Sequence, residues 1–205
     1  MDDITTLGLD AMEIQTVRTV QPKNFDQYWQ AGILSWKSDL EMNLHGPYYA
    51  ELLGSRRERN RTLTKMEASM QAGKIVNARH LVYHVGPYGE YEPGAEANEQ
   101  VANIFAGVVD RVGQIWGDES EEEDYAAFPW VHDAKPSLVG IETSGRQDLW
   151  GTVEEVIDVC NHVEGTVPVL NIAHIHARGH GRMRTSEDYS ELFEQVRKKY
   201  GGKKF

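Results

Sequence analysis

Three segments of the chain place a potential metal ligand at the carboxyl end of an apolar run. The ligands are His45 in MNLHGPYY, His84 in LVYHVGPYG and Glu142 in LVGIETSG. Parallel α/β sheets gather their active-site side chains at the carboxyl ends of the strands. Two imidazoles and one carboxylate suit Zn²⁺ and leave a coordination position for water. One histidine at a strand end is more often structural, but three ligands on successive predicted strands favour a metal site.

A fourth segment, VPVLNIAHIHARGHGRMR, continues the pattern. Asn171 and His174 lie three residues apart where the predicted strand gives way to a predicted loop. The loop is basic and flexible, and its members are His176, Arg178, Gly179, His180, Gly181, Arg182 and Arg184. Such a loop can bind phosphate through its charge and its backbone N–H groups. An exposed loop that offsets the acidity of the protein is an equally good interpretation, and both stay open here.

Predicted strands and helices alternate along the whole chain. The strands are predicted at 9–17, 40–44, 80–84, 138–142 and 167–172, and the helices at 25–37, 55–76, 95–116, 152–163 and 186–200. Ser55 and Thr152 each precede a glutamate by three residues, and Ser186 is followed by two acids, as helix starts prefer.

Repeating strand–helix units of about 30 to 40 residues indicate parallel strands joined by crossover helices. Residues 1–205 are therefore predicted to form one α/β domain. A full (β/α)₈ barrel takes about 250 residues. With a sixth strand predicted to begin at Gly202, we expect an incomplete TIM barrel of about five to six β/α units, truncated at both ends.

Composition limits the classes of protein that the chain can represent. It has 205 residues, a net charge of −11 and 40% hydrophobic residues, which argues against wholesale disorder. The sequence shows neither a signal peptide nor an apolar run of membrane-spanning length, so a cytoplasmic location is predicted. The single cysteine, Cys160, excludes an internal disulfide and a cysteine-based zinc site.

The negative charge does not exclude nucleic acid as a partner. Residues 118–124, DESEEED, hold six of the carboxylates, whereas 174–184 contains three arginines and no acid. Two further signals are weak. Arg56, Arg57, Arg59 and Arg61 are best interpreted as a solvated helix face. Ser144 lies in a Thr-Ser-Gly turn without the Gly-x-Ser-x-Gly elbow of a serine nucleophile.

The sequence resembles the endonuclease IV family of apurinic/apyrimidinic endonucleases. The resemblance runs through LGLDAMEIQTVR, LHGPYYAELL, ARHLVYHVGPYG, GIETSGRQDLWGTVEEV and VLNIAHIHARGHG, in this order and over nearly the whole chain. It implies a (β/α)₈ barrel with three zinc ions that hydrolyses the phosphodiester 5′ to abasic sites in double-stranded DNA as a monomer.

The resemblance also implies roles for individual residues. It places His45, His84 and Glu142 at the first zinc site, with Glu142 catalytic and shared with the second metal, and His174 at the third. Asn171 stands where the family has an aspartate ligand, and a neutral amide is a poorer ligand. The remaining ligands of the family would lie beyond 205. We therefore expect about one zinc ion in this chain, with Mn²⁺ as an alternative metal.

Four residues are expected to contact DNA if the resemblance holds. Tyr48 falls where the family places an aromatic residue near the lesion, and Arg18 falls near an arginine that enters the DNA. Gln15 competes with Arg18 for that polar role. Arg178 and Arg182 of the basic segment are the predicted phosphate contacts.

Two other functions compete with the endonuclease. One is a sugar isomerase or epimerase of the xylose isomerase-like superfamily, which shares the fold and also places His and Glu on a divalent metal. The overall negative charge favours it. The other is a catalytically impaired remnant or binding module, which Asn171 and the missing ligands support.

Overall fold

Five parallel strands form a single sheet in which chain order is also spatial order. The structure is a computed structural model and describes residues 6–21, 25–118 and 135–200. The strands are β1 (Ala11–Gln15), β2 (Glu41–His45), β3 (Ala78–Tyr83), β4 (Leu138–Glu142) and β5 (Thr166–Val169). This order, with each strand beside its predecessor, is that of a (β/α) barrel built in sequence.

In the described residues, four helices cross over between successive strands and cover the outer face of the sheet, and two more follow β5. They are α1 (Phe25–Lys37), α2 (Arg56–Ile75), α3 (Ala95–Gly117), α4 (Val153–His162), α5 (Ile172–Arg178) and α6 (Ser186–Lys199). The predicted α/β fold, an incomplete TIM barrel, is confirmed. The predicted sixth strand and nearly all of the acidic run lie outside the described residues. None of the described helices is both long and apolar enough to cross a membrane.

Alternation along the strands divides the side chains between two faces. Leu44, Leu81 and Ile141 are fully buried against the helices. On the other face, Val82 and Val169 close over Gly140, where a β-carbon would lie 2.7 Å from the Val169 side chain. Because period-two alternation carries this inner face to the strand ends, the ligands at those ends converge on the inside of the curved sheet.

Helix starts follow the predicted signals with one shift. Ser55 and Thr152 each form a capping box with the glutamate three residues later. At α6 the cap is Thr185 and not Ser186, because the Thr185 hydroxyl accepts from the Asp188 N–H while the Asp188 carboxylate accepts from the Thr185 N–H.

The basic segment after β5 is partly helical, which corrects the prediction of a loop. β5 ends at Val169, and α5 occupies 172–178. The Asn171 side chain caps this helix by accepting from the His174 N–H, and Ile172 and Ile175 pack against the core. Apolar residues at i and i+3 behind an N-cap therefore outweigh the histidines and arginines that suggested a loop.

Main-chain hydrogen bonds connect the loops that follow β2, β3 and β4. The Leu52 N–H donates to Val85, and the Trp150 N–H donates to Gly86 at 2.9 Å. Pro87 and Leu149 form an isolated antiparallel bridge. The loops at the carboxyl edge of the sheet therefore form one hydrogen-bonded layer.

Gly86→Ala should destabilise the fold by about 2 kcal/mol or more. Gly86 has a φ of +97°, and a β-carbon there would lie 1.9 Å from the Ala50 carbonyl oxygen. Urea unfolding measures the change. The control is Gly107→Ala, an exposed site in α3 with free space around the new methyl group, which should stabilise by about 0.5 to 1 kcal/mol. Equal stability of the two variants would contradict the close approach of Gly86 to the Ala50 carbonyl group.

Candidate metal centre

The structure brings His45, His84 and Glu142 together, as the sequence predicts. His45 ends β2, Glu142 ends β4, and His84 is the first residue after β3. All three are buried, and one ligand atom from each lies within 4.8 Å of the others. The alternation of the strands and the common edge at which they end produce this convergence.

The Glu142 carboxylate is the hub of the site and is only 4% exposed. One oxygen lies 2.7 Å from Nε2 of His45 and 3.6 Å from Nε2 of His84. The other oxygen accepts from Nδ2 of Asn171 at 2.7 Å. Burial acts to raise the pKa of Glu142, but these hydrogen bonds and the nearby histidines outweigh it and lower the pKa. The carboxylate is therefore ionised at neutral pH.

His45 has an acceptor at each ring nitrogen. Nδ1 lies 2.9 Å from the carbonyl oxygen of Gly46, and Nε2 lies 2.7 Å from Glu142. Burial acts to lower the pKa of His45, but its hydrogen bonds to Glu142 and Gly46 raise it overall. With Nδ1 donating to Gly46, the short contact to Glu142 requires a proton on Nε2. A metal ion would replace that proton.

His84 is a neutral imidazole at physiological pH. Its burial lowers the pKa to about 4, although the charge of Glu142 acts in the opposite direction. Its ring packs against three others, with centroid distances of 5.2 Å to His45, 5.5 Å to His174 and 5.1 Å to Tyr48. Because metals bind the neutral form of histidine, His84 needs no proton loss before it can act as a ligand.

His174 faces the same centre from the first turn of α5. Its Nδ1 lies 2.8 Å from the carbonyl oxygen of Thr143 and 3.5 Å from Glu142. Donation from Nδ1 to Thr143 fixes the tautomer and leaves Nε2 with a lone pair, an orientation that metal-binding histidines commonly use.

Asn171 joins the site through its nitrogen and not its oxygen. Oδ1 accepts from the His174 N–H at 3.1 Å, and Nδ2 donates to Glu142. The two partners fix the orientation of the amide, because only the oxygen can face an N–H group. In this orientation Asn171 positions Glu142 and presents no oxygen to the centre.

The donor set fits a divalent metal ion. One ionised carboxylate and two histidines match the chemistry of zinc ligands. Gly46 and Thr143 supply the carbonyl groups that orient His45 and His174. Both acceptors are backbone carbonyl groups, which no side-chain pattern in the sequence could indicate.

Glu13 is a site residue that the sequence pattern did not single out. It lies on the inner face of β1 and lines, with Gln15 and the ligands, a cavity of about 380 Å³ over the centre. Burial raises its pKa, the charge of Glu142 adds to this, and His45 acts against it. The signal was available: Gln15 pairs in register with His45, and Glu13 is two residues earlier on the same face.

The predicted DNA contacts fall into two groups. Tyr48 is 44% exposed beside His84, and the Arg18 and Arg182 side chains are exposed. Arg178 is half-buried, and its Nη1 donates to the carbonyl oxygens of Arg146 at 2.5 Å and Leu149 at 2.9 Å. Arg178 thus stabilises the loop after β4 through hydrogen bonds to its backbone. Its contact with phosphate stays a prediction.

A larger cavity lies away from the metal centre. It measures about 830 Å³ and lies at the amino-terminal edge of the sheet, beside Leu40, Asn77 and Leu138. The convergent ligands and shifted pKa values described above lie at the opposite edge. Chemistry in this architecture is carried by the carboxyl-terminal edge, so volume alone misplaces the site.

The comparisons with known proteins identify a fold. No protein-family model matches the chain, and a search of curated proteins finds no match. Among solved structures, a D-tagatose 3-epimerase-like protein aligns with a TM-score of 0.65 and 17% identity, over 96% of this chain and 66% of that one. Endonuclease IV from Thermus thermophilus aligns with a TM-score of 0.65 and 16% identity, over 98% and 66%.

A third similar structure is the IOLI protein with a bound zinc atom, at a TM-score of 0.63 and 15% identity, over 91% of this chain and 63% of that one. The chain thus spans about two thirds of the length of these proteins. The likeness shows the fold alone, an α/β barrel of parallel strands that proteins named as an endonuclease and as epimerases share.

The chain should hold about one zinc ion, since the described residues contain one buried group of three ligands. Elemental analysis after dialysis against a weak chelator measures the stoichiometry. His84→Ala should reduce zinc to traces. His162→Ala, at an exposed histidine of α4, is the control and should retain it. Three zinc ions per chain, or none in a sample that circular dichroism shows to be folded, would contradict the expectation.

Zinc affinity should rise about tenfold per pH unit below the raised pKa of His45 and level off above it. Below that pKa, zinc must displace one proton, that of His45, because His84 is already neutral above about pH 5 and Glu142 is ionised. Competition with a metal-binding dye between about pH 5.5 and 7 gives the slope. A slope of two would show that a second ligand is protonated, and a flat profile would refute the proton on His45.

Proposed function

We propose that the protein is a zinc-dependent DNA repair endonuclease, or the part of one that this chain represents, which hydrolyses the phosphodiester 5′ to abasic sites. The observation that carries the proposal is the exposed aromatic rim beside the metal centre. Tyr48 is 44% exposed and Tyr49 is 64% exposed. Tyr48 packs edge-on against His84, with ring planes at 80°.

Hydrogen bonds fix the position of this rim. The Tyr48 N–H donates to the Val17 carbonyl oxygen at 3.1 Å, and the Thr16 N–H donates to the His45 carbonyl oxygen at 2.9 Å. The loop after β1 is therefore tied to the loop after β2. Arg18, which is exposed, is the next residue after Val17, whose carbonyl oxygen accepts from the Tyr48 N–H. The arginine is therefore held near the Tyr48 backbone.

An exposed tyrosine pair with a neighbouring arginine suits a nucleic acid. Aromatic rings stack on bases or on the gap that a missing base leaves, and an arginine binds phosphate or stacks in the same place. A small sugar enclosed in a pocket has no need of such a rim. The rim therefore supports an extended ligand that lies across the carboxyl edge of the sheet.

The residues of the site can divide the hydrolytic work among them. His45, His84 and Glu142 would hold the metal, which when bound supplies Lewis-acid stabilisation of charge on a phosphate. Asn171 keeps Glu142 oriented by its hydrogen bond. Glu13 lines the cavity over the centre and would face the reacting phosphate, a position from which a carboxyl group can take part in proton transfer. Tyr48 and Arg18 would orient the DNA.

A sugar isomerase or epimerase is the second candidate. It is favoured by a second cavity of about 340 Å³ that adjoins the centre at His84 and His174, a volume sufficient for a monosaccharide. Several proteins with the same fold are epimerases. Turnover of a ketose or ketose phosphate, without nicking of DNA, would establish this alternative.

The protein should bind a duplex with a tetrahydrofuran abasic analogue more tightly than the intact duplex. Tyr48→Ala should reduce that preference about tenfold and leave the salt dependence unchanged, because stacking carries no net charge. Arg18→Gln should lower the slope of log K against log salt by about 1. Fluorescence anisotropy measures both. Tyr189→Ala, at an exposed tyrosine of α6, is the matched control.

The same duplex tests hydrolysis. With Zn²⁺ or Mn²⁺ supplied, we expect the complete protein to make a single nick 5′ to the analogue that leaves a 3′-hydroxyl, and this chain, with about one zinc ion, to hydrolyse little or none. The analogue cannot undergo β-elimination, so this product requires hydrolysis. Equal binding of the damaged and intact duplexes, with no nick, would reject the endonuclease.

A further inference from the structure

A second cavity opens beside the metal centre and is not explained by metal binding. It measures about 340 Å³ and lies between α2 and the loop that follows β4. Tyr48, His84 and His174 line it on the side of the centre, so a ligand in it would reach the metal site directly. The opposite wall carries positive charge.

Two of the positive groups come from one face of α2. Arg61 and Lys65 are four residues apart and both line the cavity. Like charges at this spacing repel each other in a helix unless an anion lies between them. Arg61 pairs with Glu51 at 2.5 Å. Lys65 is half-buried and forms no ion pair within the described parts of the chain, which makes it the uncompensated cation of the cavity.

The third positive group comes from the loop after β4. Arg146 lines the cavity and is held by Asp148 through two hydrogen bonds, at 2.9 and 2.5 Å. Glu51 and Asp148 thus balance two of the three cations around the cavity. The net positive charge that remains is that of Lys65.

Ser144 adds an unused hydroxyl to the same wall. It is 2% exposed, and its Oγ is the one buried side-chain oxygen or nitrogen among the described residues without a hydrogen-bond partner. Its backbone N–H donates to Gly151 at 2.8 Å, so the position of the residue is fixed. A buried polar group without a partner costs free energy, about 1 to 3 kcal/mol. A hydroxyl kept at that cost on the wall of a cationic cavity indicates a ligand.

We propose that this cavity binds a phosphate group. Lys65 and Ser144 are its direct donors, and Arg61 and Arg146 donate to it while they also pair with Glu51 and Asp148. Phosphate offers several strong acceptor oxygens and a charge that matches the lysine. The inference deepens the proposed function, because a phosphate here would be a backbone phosphate of the DNA next to the one that is cleaved. A sugar phosphate shares this chemistry.

Inorganic phosphate tests the site without DNA or metal. We expect the chelator-treated protein to bind it, as measured by ³¹P line broadening in constant chloride. Lys65→Gln should weaken binding about tenfold. Lys198→Gln, at an exposed lysine paired with Glu194 on α6, should leave binding unchanged. No binding in the millimolar range, or equal loss in the two variants, would overturn the proposal.

Ser144→Ala separates a binding role from a structural one. Because Oγ has no partner in the ligand-free protein, its removal should leave the midpoint of urea unfolding unchanged or higher, while phosphate affinity falls by about threefold or more. A lower midpoint would show that the hydroxyl supports the fold, and unchanged affinity would remove it from the site.

Competition identifies the source of the phosphate. Displacement of inorganic phosphate by the abasic duplex supports a DNA phosphate, and displacement by a ketose phosphate supports the isomerase alternative. Both outcomes keep the phosphate site, and only the first keeps the endonuclease. If neither competes although phosphate binds through Lys65, the cavity binds an adventitious ion only and the proposal fails.

Discussion

A buried negative charge at the end of β4 organises the carboxyl edge of this protein. Glu142 has almost no contact with water, so its charge must be compensated by protein groups. His45, on β2 two strands away, and Asn171, after the neighbouring β5, supply that compensation. The same carboxylate therefore links β2, β4 and the segment after β5 through its hydrogen bonds, and its buried negative charge would favour a bound metal ion.

The sheet and the convergence of His45, His84 and Glu142 could be predicted from the sequence. Apolar runs that end in His45, His84 and Glu142 were sufficient, because parallel strands share an edge and period-two alternation fixes the face. The orientation of Asn171 could not be predicted, since it depends on α5 beginning at Ile172 and drawing the amide oxygen to its first turn. Glu13 shares a strand face with Gln15, but β1 is largely exposed, so no pattern of burial distinguishes that face in the sequence. Ser144 lies in no nucleophile motif, so the sequence did not predict a role for it. It stands out only in the structure, where its buried Oγ has no hydrogen-bond partner.

One donor set on one fold serves different chemistries. Hydrolysis of a phosphodiester and isomerisation of a sugar both develop negative charge on an oxygen, and a metal held by histidine and carboxylate stabilises either. Function must therefore be read from what surrounds the centre. Here the surroundings are a rim of exposed tyrosines on one side and a cationic cavity on the other. Each would contact a different part of the extended, charged ligand that we propose.

The hydrogen-bonded layer of loops has a kinetic consequence. Gly86, Trp150 and Gly151 are joined to their neighbours by main-chain hydrogen bonds, and the Pro87–Leu149 bridge closes the layer. A wall built in this way is ordered before any ligand arrives, so association requires no prior folding of a loop and loses little conformational entropy. Encounter rates at this edge are then governed by diffusion and by the local field of Lys65, and residence times by the contacts that form afterwards.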